Sequence, residues 1–468
     1  MTFKNAINTQ ITTTQNGMIA YVGSARYSVD LFYKIGASRR KDILPDFIKA
    51  YVENPELALR IVAWARDIRK GSGERSTFRS ILKYLELNQA KDALKLMKMV
   101  PELGRWDDLL VFETPAMKAK AFTLIHDALK ANNGLAAKWM PRQGKTANEL
   151  RKHFGLSPKE YRQWLVSLTS VVETKMASNQ WDSIDYNKVP SLAISRYKKA
   201  FNRHGESFMT YVQNLATGKK GAKVNATAVY PYDVLKGRLS YQQSYDKTEL
   251  DLIEAQWKAL PNYVGSNNVL PLVDVSGSMG CNIGSSLTAL DIAVSLGLYF
   301  ADKNQGAFKD CFLTFSEEPE LLNLTGSINQ KIDQMNGSRW GMNTDLNKAF
   351  ELILRTAING KVLLSEMPST LIIFSDMQFD RCADLTGYEM IKAQYSTSGY
   401  TCPRIVFWNL NAYSNVPVQF REDGVALVSG YSPALAEAML GGDLSNFTPL
   451  SIMLKKIMDD RYNPDAYQ

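Results

Sequence analysis

Residues 269–279 read Val269-Leu-Pro-Leu-Val-Asp274-Val-Ser276-Gly-Ser278-Met279. An apolar run that ends abruptly in polar residues predicts a buried strand opening onto a loop. Asp274, Ser276 and Ser278 stand at alternate positions just past the strand's end, so a carboxylate and two hydroxyls can converge on one point. An all-oxygen donor set suits a hard divalent cation such as Mg²⁺, which makes the stretch a candidate metal site. Taken alone, the same residues would also serve as a polar turn capping the next helix.

The pattern downstream is that of an open α/β domain. Leu287, Leu290, Val294, Gly297 and Phe300 recur at helical spacing, followed by strand-like Cys311–Phe315 and an edge strand over 321–324. A second helical stripe, Leu346, Ala349, Phe350, Ile353 and Leu354, precedes strands over 371–374, 404–410 and 425–428, and helical runs over 433–440 and 450–458 close the chain. Strands alternating with helices predict a doubly wound, mostly parallel sheet, in which ligands bind beyond the carboxyl ends of the strands.

The spacing Asp274-x-Ser276-x-Ser278 resembles the metal-ion-dependent adhesion site of von Willebrand factor A domains. That resemblance implies a Thr from a second loop, met here by Thr344 in Gly341-Met-Asn-Thr344-Asp345, and an Asp after a later strand, met by Asp376 in Leu371-Ile-Ile-Phe-Ser-Asp376. It further implies a bound Mg²⁺ or another divalent cation on Asp274, Ser276, Ser278, Thr344 and Asp376, with a position left for water or for a carboxylate donated by a protein partner.

A chain of 468 residues with 45% hydrophobic content is long enough for two or three domains. It contains no apolar run long enough for a membrane span and no signal-peptide pattern at its start, so a soluble, cytoplasmic protein without membrane contact is expected. Cys281, Cys311, Cys382 and Cys402 lack the spacing of a zinc site or a disulfide framework. His126, His153 and His204 are scattered, and none is set beside a nucleophile as a catalytic triad requires.

Charge separates the halves. Residues 1–250 carry 40 Lys and Arg against 23 Asp and Glu, whereas residues 251–468 carry 15 against 24. A basic half beside an acidic one implies a polyanion-binding module joined to a module with another task. The densest stretch, 138–223, holds 16 basic against 6 acidic residues, with Trp139, Tyr161, Trp164, Trp181 and Tyr197 among them. Lys138, Arg142, Lys145, Arg151, Lys152, Arg196, Lys198, Lys199 and Arg203 are the candidate RNA-binding residues, because cations neutralise phosphates while aromatic rings stack on unpaired bases. A solvated helix surface over core aromatics is the competing reading.

The basic half reads as successive short helices over 43–51, 55–68, 77–87, 90–100, 106–112, 117–130 and 161–173. Such a series predicts stacked hairpins of the HEAT kind. Within it, Ala65-Arg-Asp-Ile-Arg-Lys-Gly-Ser-Gly-Glu-Arg75 resembles the hallmark of the TROVE module of Ro-type proteins. Gly104-Arg-Trp-Asp-Asp-Leu-Leu110, Lys138-Trp-Met-Pro-Arg142 and Val229-Tyr-Pro-Tyr-Asp233 are similar to segments of a related, uncharacterised TROVE-like family. Read from the residues, Arg69-Lys-Gly-Ser-Gly-Glu-Arg75 is an interhelical turn, with Arg66, Arg69 and Arg75 open to either surface pairing or phosphate. Lys138–Arg142 has the stronger claim to RNA.

The resemblance implies a helical-repeat solenoid or ring over 1–260, followed by the von Willebrand factor A domain over 261–468, in a non-catalytic and mostly monomeric protein that binds noncoding or single-stranded RNA. No family RNA-contact residue aligns individually. A protein-interaction scaffold recruiting its partner through the metal, with no RNA role, is the alternative. A metal-dependent nuclease fits less well, because Asp274 and Asp376 are accompanied by hydroxyls rather than by the further carboxylates that paired catalytic metals require.

Overall fold

Val269–Asp274 forms β1 and is buried at every position, as a wholly apolar strand must be when sheet and helices cover both its faces. The computed structural model describes residues 11–14, 19–39, 41–169, 171–204, 206–226, 229–239, 245–284, 287–315, 318–336, 346–378, 385–412, 415–440 and 446–467. β1 belongs to a six-stranded sheet with β2 (Cys311–Phe315), β3 (Leu321–Asn323), β4 (Thr370–Ser375), β5 (Arg404–Asn409) and β6 (Val425–Ser429), in spatial order β6-β5-β4-β1-β2-β3. Every pairing is parallel except β2 with β3. The chain therefore builds outward from β1 in one direction and, after β4, in the other, which puts the switch point between β1 and β4. Pro271 lies inside β1 without a donor N–H, at a position paired with β4 only, since the register with β2 begins at Leu272.

The expected strands and the flanking helices Ala289–Lys303, Leu346–Gly360 and Pro449–Ile457 all form. Phe300, on the first of these helices, meets Phe374 at 5.4 Å and Trp408 at 5.7 Å between ring centroids, tying helix to sheet.

The chain divides into two compact units, residues 1–61 with 226–459, and residues 62–225 with 460–468. This division departs from a single boundary near 260. The helix Tyr27–Ile35 packs against β6, and its end is held by the sheet. The Ser429 hydroxyl donates to the Phe32 carbonyl at 3.0 Å and accepts from the Gly36 amide at 3.1 Å, and Asn409 Nδ2 donates to the Tyr33 carbonyl at 3.4 Å. Only glycine fits at 36, because a Cβ there would lie 2.3 Å from the Ser429 carbonyl oxygen.

Helices dominate the second unit, with Ser76–Asn88 packed on Ala90–Leu103 and further helices at Pro115–Lys130, Gly134–Trp139, Lys145–His153, Pro158–Leu168, Ser191–His204 and Glu206–Ala216. Residues 106–111 tighten into a 3₁₀ turn instead of the expected α-helix. The helix expected over 161–173 stops at Leu168, where Thr169 turns extended and spends its hydroxyl on the Leu165 carbonyl at 2.5 Å.

Two of the motifs meet in this unit. Asp108 is wholly buried and accepts from Arg66 Nε at 2.7 Å, Arg79 Nε at 2.7 Å and the Arg105 amide at 3.0 Å. Arg105 also pairs with Asp107, and its guanidinium lies 3.7 Å from the Trp139 ring centroid. Next along the chain, buried Asp67 accepts from Arg461 at 2.6 Å and from the Tyr462 hydroxyl at 3.1 Å. The turn between Arg66 and Arg75 closes at Gly71, where a Cβ would sit 1.9 Å from the Trp64 carbonyl.

Removing one partner of a buried pair leaves the other charge uncompensated. Asp108→Ala is expected to destabilise the protein by about 3–5 kcal/mol. Asp107→Ala, whose partners reach solvent, should cost about 1 kcal/mol or less. Urea denaturation followed by tryptophan fluorescence compares the two, and equal losses would remove Asp108 as the organising group.

Candidate functional site

Asp274 is the last residue of β1 and Asp376 directly follows β4, so the two carboxylates flank the switch point at the carboxyl edge of the sheet. Both are fully buried. Asp274 is held by the Ser276 amide at 2.9 Å and the Ser375 hydroxyl at 2.5 Å. The Ser276 and Ser278 hydroxyls lie 3.1 Å apart, and Ser278 donates to Asp376 Oδ1 at 3.3 Å, with the Gln378 amide at the same distance. The sheet thus brings together four of the five expected ligands, Asp274, Ser276, Ser278 and Asp376. Thr344 lies outside the described residues.

The donor chemistry fits a cation. Asp376 Oδ2 is buried with no hydrogen-bond partner among the described residues. Burial first, and then the neighbouring Asp274 charge, push the Asp376 carboxyl up to about 7. Two buried carboxylates around two hydroxyls form an oxygen set that a hard divalent ion would stabilise.

Lys41 was not identified from the sequence. Its amine is pushed down to about 8 by burial, against the pull of Cys281 and Asp376, so it lies within electrostatic reach of the site. Cys281 is tied in turn to Asn411 Nδ2 at 3.2 Å. The signal available in the sequence was the cluster Ser38-Arg-Arg-Lys41, but only the docking of Tyr27–Ile35 on β6 carries it to this edge.

Among the nine candidate RNA residues, Arg142, Lys145, Lys152, Arg196, Lys199 and Arg203 are exposed, while Lys138, Arg151 and Lys198 are half-buried. Arg196, Lys199 and Arg203 recur three and four residues apart on the helix Ser191–His204, which puts them on one face. The Lys138–Arg142 motif is engaged internally, with Trp139 covered by Arg105 and Arg142 reaching Thr169 at 3.4 Å. Arg66 is likewise an internal ion-pair partner, which excludes it as a phosphate contact. Of the named aromatics, Tyr161 is core and bonds the Pro141 carbonyl at 3.0 Å, whereas half-buried Trp181 stacks on exposed His204 at 4.4 Å.

The raised Asp376 carboxyl has a consequence for stability. With its folded value near 7 and its ordinary value near 4, the folded state holds the proton more tightly, so stability falls as pH rises between those values and levels off above about 7. In chelator, Asp376→Asn is expected to be the more stable protein at pH 8 by about 2–4 kcal/mol and nearly equal at pH 4. Thermal melts at both pH values test this, and a wild type that gains stability relative to the variant on raising pH would contradict it.

A family model described as "Domain of unknown function (DUF7788)" matches residues 268–457, and "Domain of unknown function (DUF2828)" matches residues 14–103 and 121–267. "Uncharacterized protein L728" of Acanthamoeba polyphaga mimivirus is 31% identical over 518 residues, covering 96% of this chain and 88% of that protein. The crystal structure of the Deinococcus radiodurans RO (RSR) protein aligns with 92% of this chain and 93% of that chain at 14% identity, with a TM-score of 0.37, a likeness too slight to carry a conclusion. Among the described residues no helix is long and apolar enough to cross a membrane. The DUF2828 match over half of the chain, together with the viral relative along nearly all of it, makes this protein a member of the DUF2828 family, with a DUF7788 domain as its C-terminal part.

Proposed function

We propose that this protein is a non-catalytic, Ro-like RNA-binding protein whose helical unit holds noncoding or single-stranded RNA and whose sheet-bearing unit holds Mg²⁺ or another divalent cation. The observation that carries the RNA reading is the segregation of charge. The helical unit has 30 Lys and Arg against 17 Asp and Glu, and the other unit 25 against 30. Phosphate neutralisation is the sequence-independent source of affinity for RNA. Arg196, Lys199 and Arg203 supply a row of exposed cations on one helix face, and none of the three is held in an ion pair among the described residues.

The metal reading rests on the oxygen set. Asp274, Ser276, Ser278 and Asp376 would hold the cation, together with Thr344, as the resemblance to von Willebrand factor A domains implies. When bound, the ion would offer an open position to an anionic group. Ser375 and the Ser276 amide orient Asp274, and Ser278 and the Gln378 amide orient Asp376, so the chain keeps both carboxylates aimed without requiring a reaction.

Replacing Arg196, Lys199 and Arg203 with Ala together is expected to weaken binding of single-stranded RNA and to lower the slope of log affinity against log salt by up to about 2, at roughly 0.7 per phosphate contact. Fluorescence anisotropy at several salt concentrations measures it, and an unchanged slope would put the footprint elsewhere. Asp274→Ala should abolish Mg²⁺ binding in calorimetry while leaving RNA affinity intact. Retained Mg²⁺ binding would remove Asp274 from the ligand set, and a wild type that binds a protein partner through the metal but no RNA would favour the scaffold.

A further inference from the structure

Three of the sequence motifs converge on one surface of the helical unit. Gly104–Leu110 contributes Arg105 and Asp107, and Lys138–Arg142 contributes Trp139, whose ring centroid lies 3.7 Å from the Arg105 guanidinium. The turn that ends at Arg75 leads into the helix Ser76–Asn88, and Arg79 of that helix lies 2.9 Å from Asp107 and 2.7 Å from Asp108. The Arg79 amide donates to the Arg75 carbonyl at 3.0 Å, which carries the helical spacing back to Arg75 and makes the two side chains neighbours.

The charges at this surface do not balance. Arg66, Arg79 and Arg105 take up Asp107 and Asp108, and the carboxylate next to Arg75, that of Glu74, is buried. Arg69 donates to the Glu102 carbonyl and lies 3.9 Å from its carboxylate, so of the three arginines in its motif only Arg75 is in no ion pair among the described residues. Arg75 is exposed, and its side chain does not cap the helix. Burial first, and then the Arg105 and Arg79 charges, hold its guanidinium below the ordinary value, with Asp107 and Asp108 opposing them less strongly. Like charges at this spacing destabilise a helix. Lys138 adds a further cation, its ammonium 5.7 Å from the Trp139 ring centroid and in no ion pair among the described residues.

We propose that Arg75 and Lys138, linked through Arg105 and Trp139, form a contact site for the phosphates of single-stranded RNA, in which the strand supplies the negative charge that the arginine cluster lacks. A guanidinium presents its N–H donors as a planar fork that matches two phosphate oxygens, and an ammonium adds a point charge beside it. Trp139 is already covered by Arg105, so its part is to hold the cations in place and not to stack a base. The site rests on the RNA reading above and deepens it, with cations from elements other than the helix that carries Arg196, Lys199 and Arg203.

The test uses the full chain and a short oligouridylate, with binding followed by fluorescence anisotropy at several salt concentrations. Arg75→Gln with Lys138→Gln removes the two unpaired cations. Lys91→Gln with Lys98→Gln, at exposed positions of the helix Ala90–Leu103, removes the same charge and serves as the control. The first pair is expected to weaken binding roughly tenfold and to lower the slope of log affinity against log salt by about 1.4, at roughly 0.7 per phosphate contact, while the control moves the slope far less. Arg75→Gln alone should melt no lower than the wild type, because neighbouring charges oppose the one it removes; a clear drop would make Arg75 part of the internal scaffold and overturn the site. An unchanged slope in the first pair, or equal losses in both pairs, would overturn the site while leaving RNA binding intact. Polyglutamate competing as well as RNA of equal charge would make the surface one for acidic peptides and overturn the phosphate assignment. A wild type that binds no RNA would overturn the site together with the reading it rests on.

Discussion

The buried carboxylate of Asp108 is the constraint on which the helical unit depends. In an interior of low dielectric an unpaired charge is far more costly than a poorly packed methyl group, so a carboxylate at no exposure must be fully surrounded by donors. Arg66, Arg79 and the Arg105 amide surround it, and they come from three different elements. The geometry therefore fixes the turn after Arg66, the Ser76–Asn88 helix and the start of the 106–111 turn relative to one another. Arg105, committed to Asp107 and to the face of Trp139, extends the arrangement to the Lys138–Arg142 motif. What the motifs share is an internal scaffold of ion pairs, and this sorts the basic residues of the unit. Arg66, Arg79 and Arg105 hold the fold, which leaves the outward cations, Arg196, Lys199 and Arg203 among them, available to a polyanion.

The sheet-bearing unit is organised by a different device, two like charges brought close together at one edge of the sheet. Asp274 and Asp376 flank the point where strand order reverses, and each carboxylate is oriented by amides and hydroxyls that carry no formal charge. Burial raises the cost of ionising Asp376, the neighbouring Asp274 charge adds to it, and the upward push on the Asp376 carboxyl is that cost expressed as proton affinity. A fold selected for stability alone would place a lysine in full contact or replace one Asp with Asn. Retaining the pair is the local inconsistency expected at a site whose charge is completed by something from outside.

How much of this could be read in the sequence follows from the range of each interaction. β1, β4, β5 and β6 were legible because a parallel strand covered on both faces must be apolar at nearly every position, which is a local property. Asp274 and Asp376 were legible because strand ends set their place. The helix Tyr27–Ile35 was not assigned to this unit, since its partner β6 lies some 400 residues downstream and its polar residues Asp30 and Lys34, which would ordinarily mark a solvent face, are themselves buried. Lys41 was missed with it. Trp139 shows a different limit: basic and aromatic residues close in sequence suggest a stacking surface, but whether the ring meets a base or an arginine of the same chain, as it meets Arg105 here, depends on tertiary packing.

Neither compact unit is contiguous in sequence. The chain begins in the sheet-bearing unit, leaves it within the helix Pro55–Arg66, returns near residue 226, and gives its last residues back to the helical unit through Arg461 and Tyr462 on Asp67. A cut near residue 260 would take from the sheet the helix that covers β6, together with Lys41, and would leave Asp67 buried without the cation that balances it. Loss of metal or RNA binding in such halves would then report unfolding and not the absence of a site. The family match reflects the same arrangement, because the DUF2828 portion begins at residue 14, inside the segment that packs on the sheet, well before the helical unit starts. The two portions defined by sequence are therefore not the two compact units, and the sheet edge with Asp274 and Asp376, in the DUF7788 portion, has Lys41 of the DUF2828 portion within electrostatic reach.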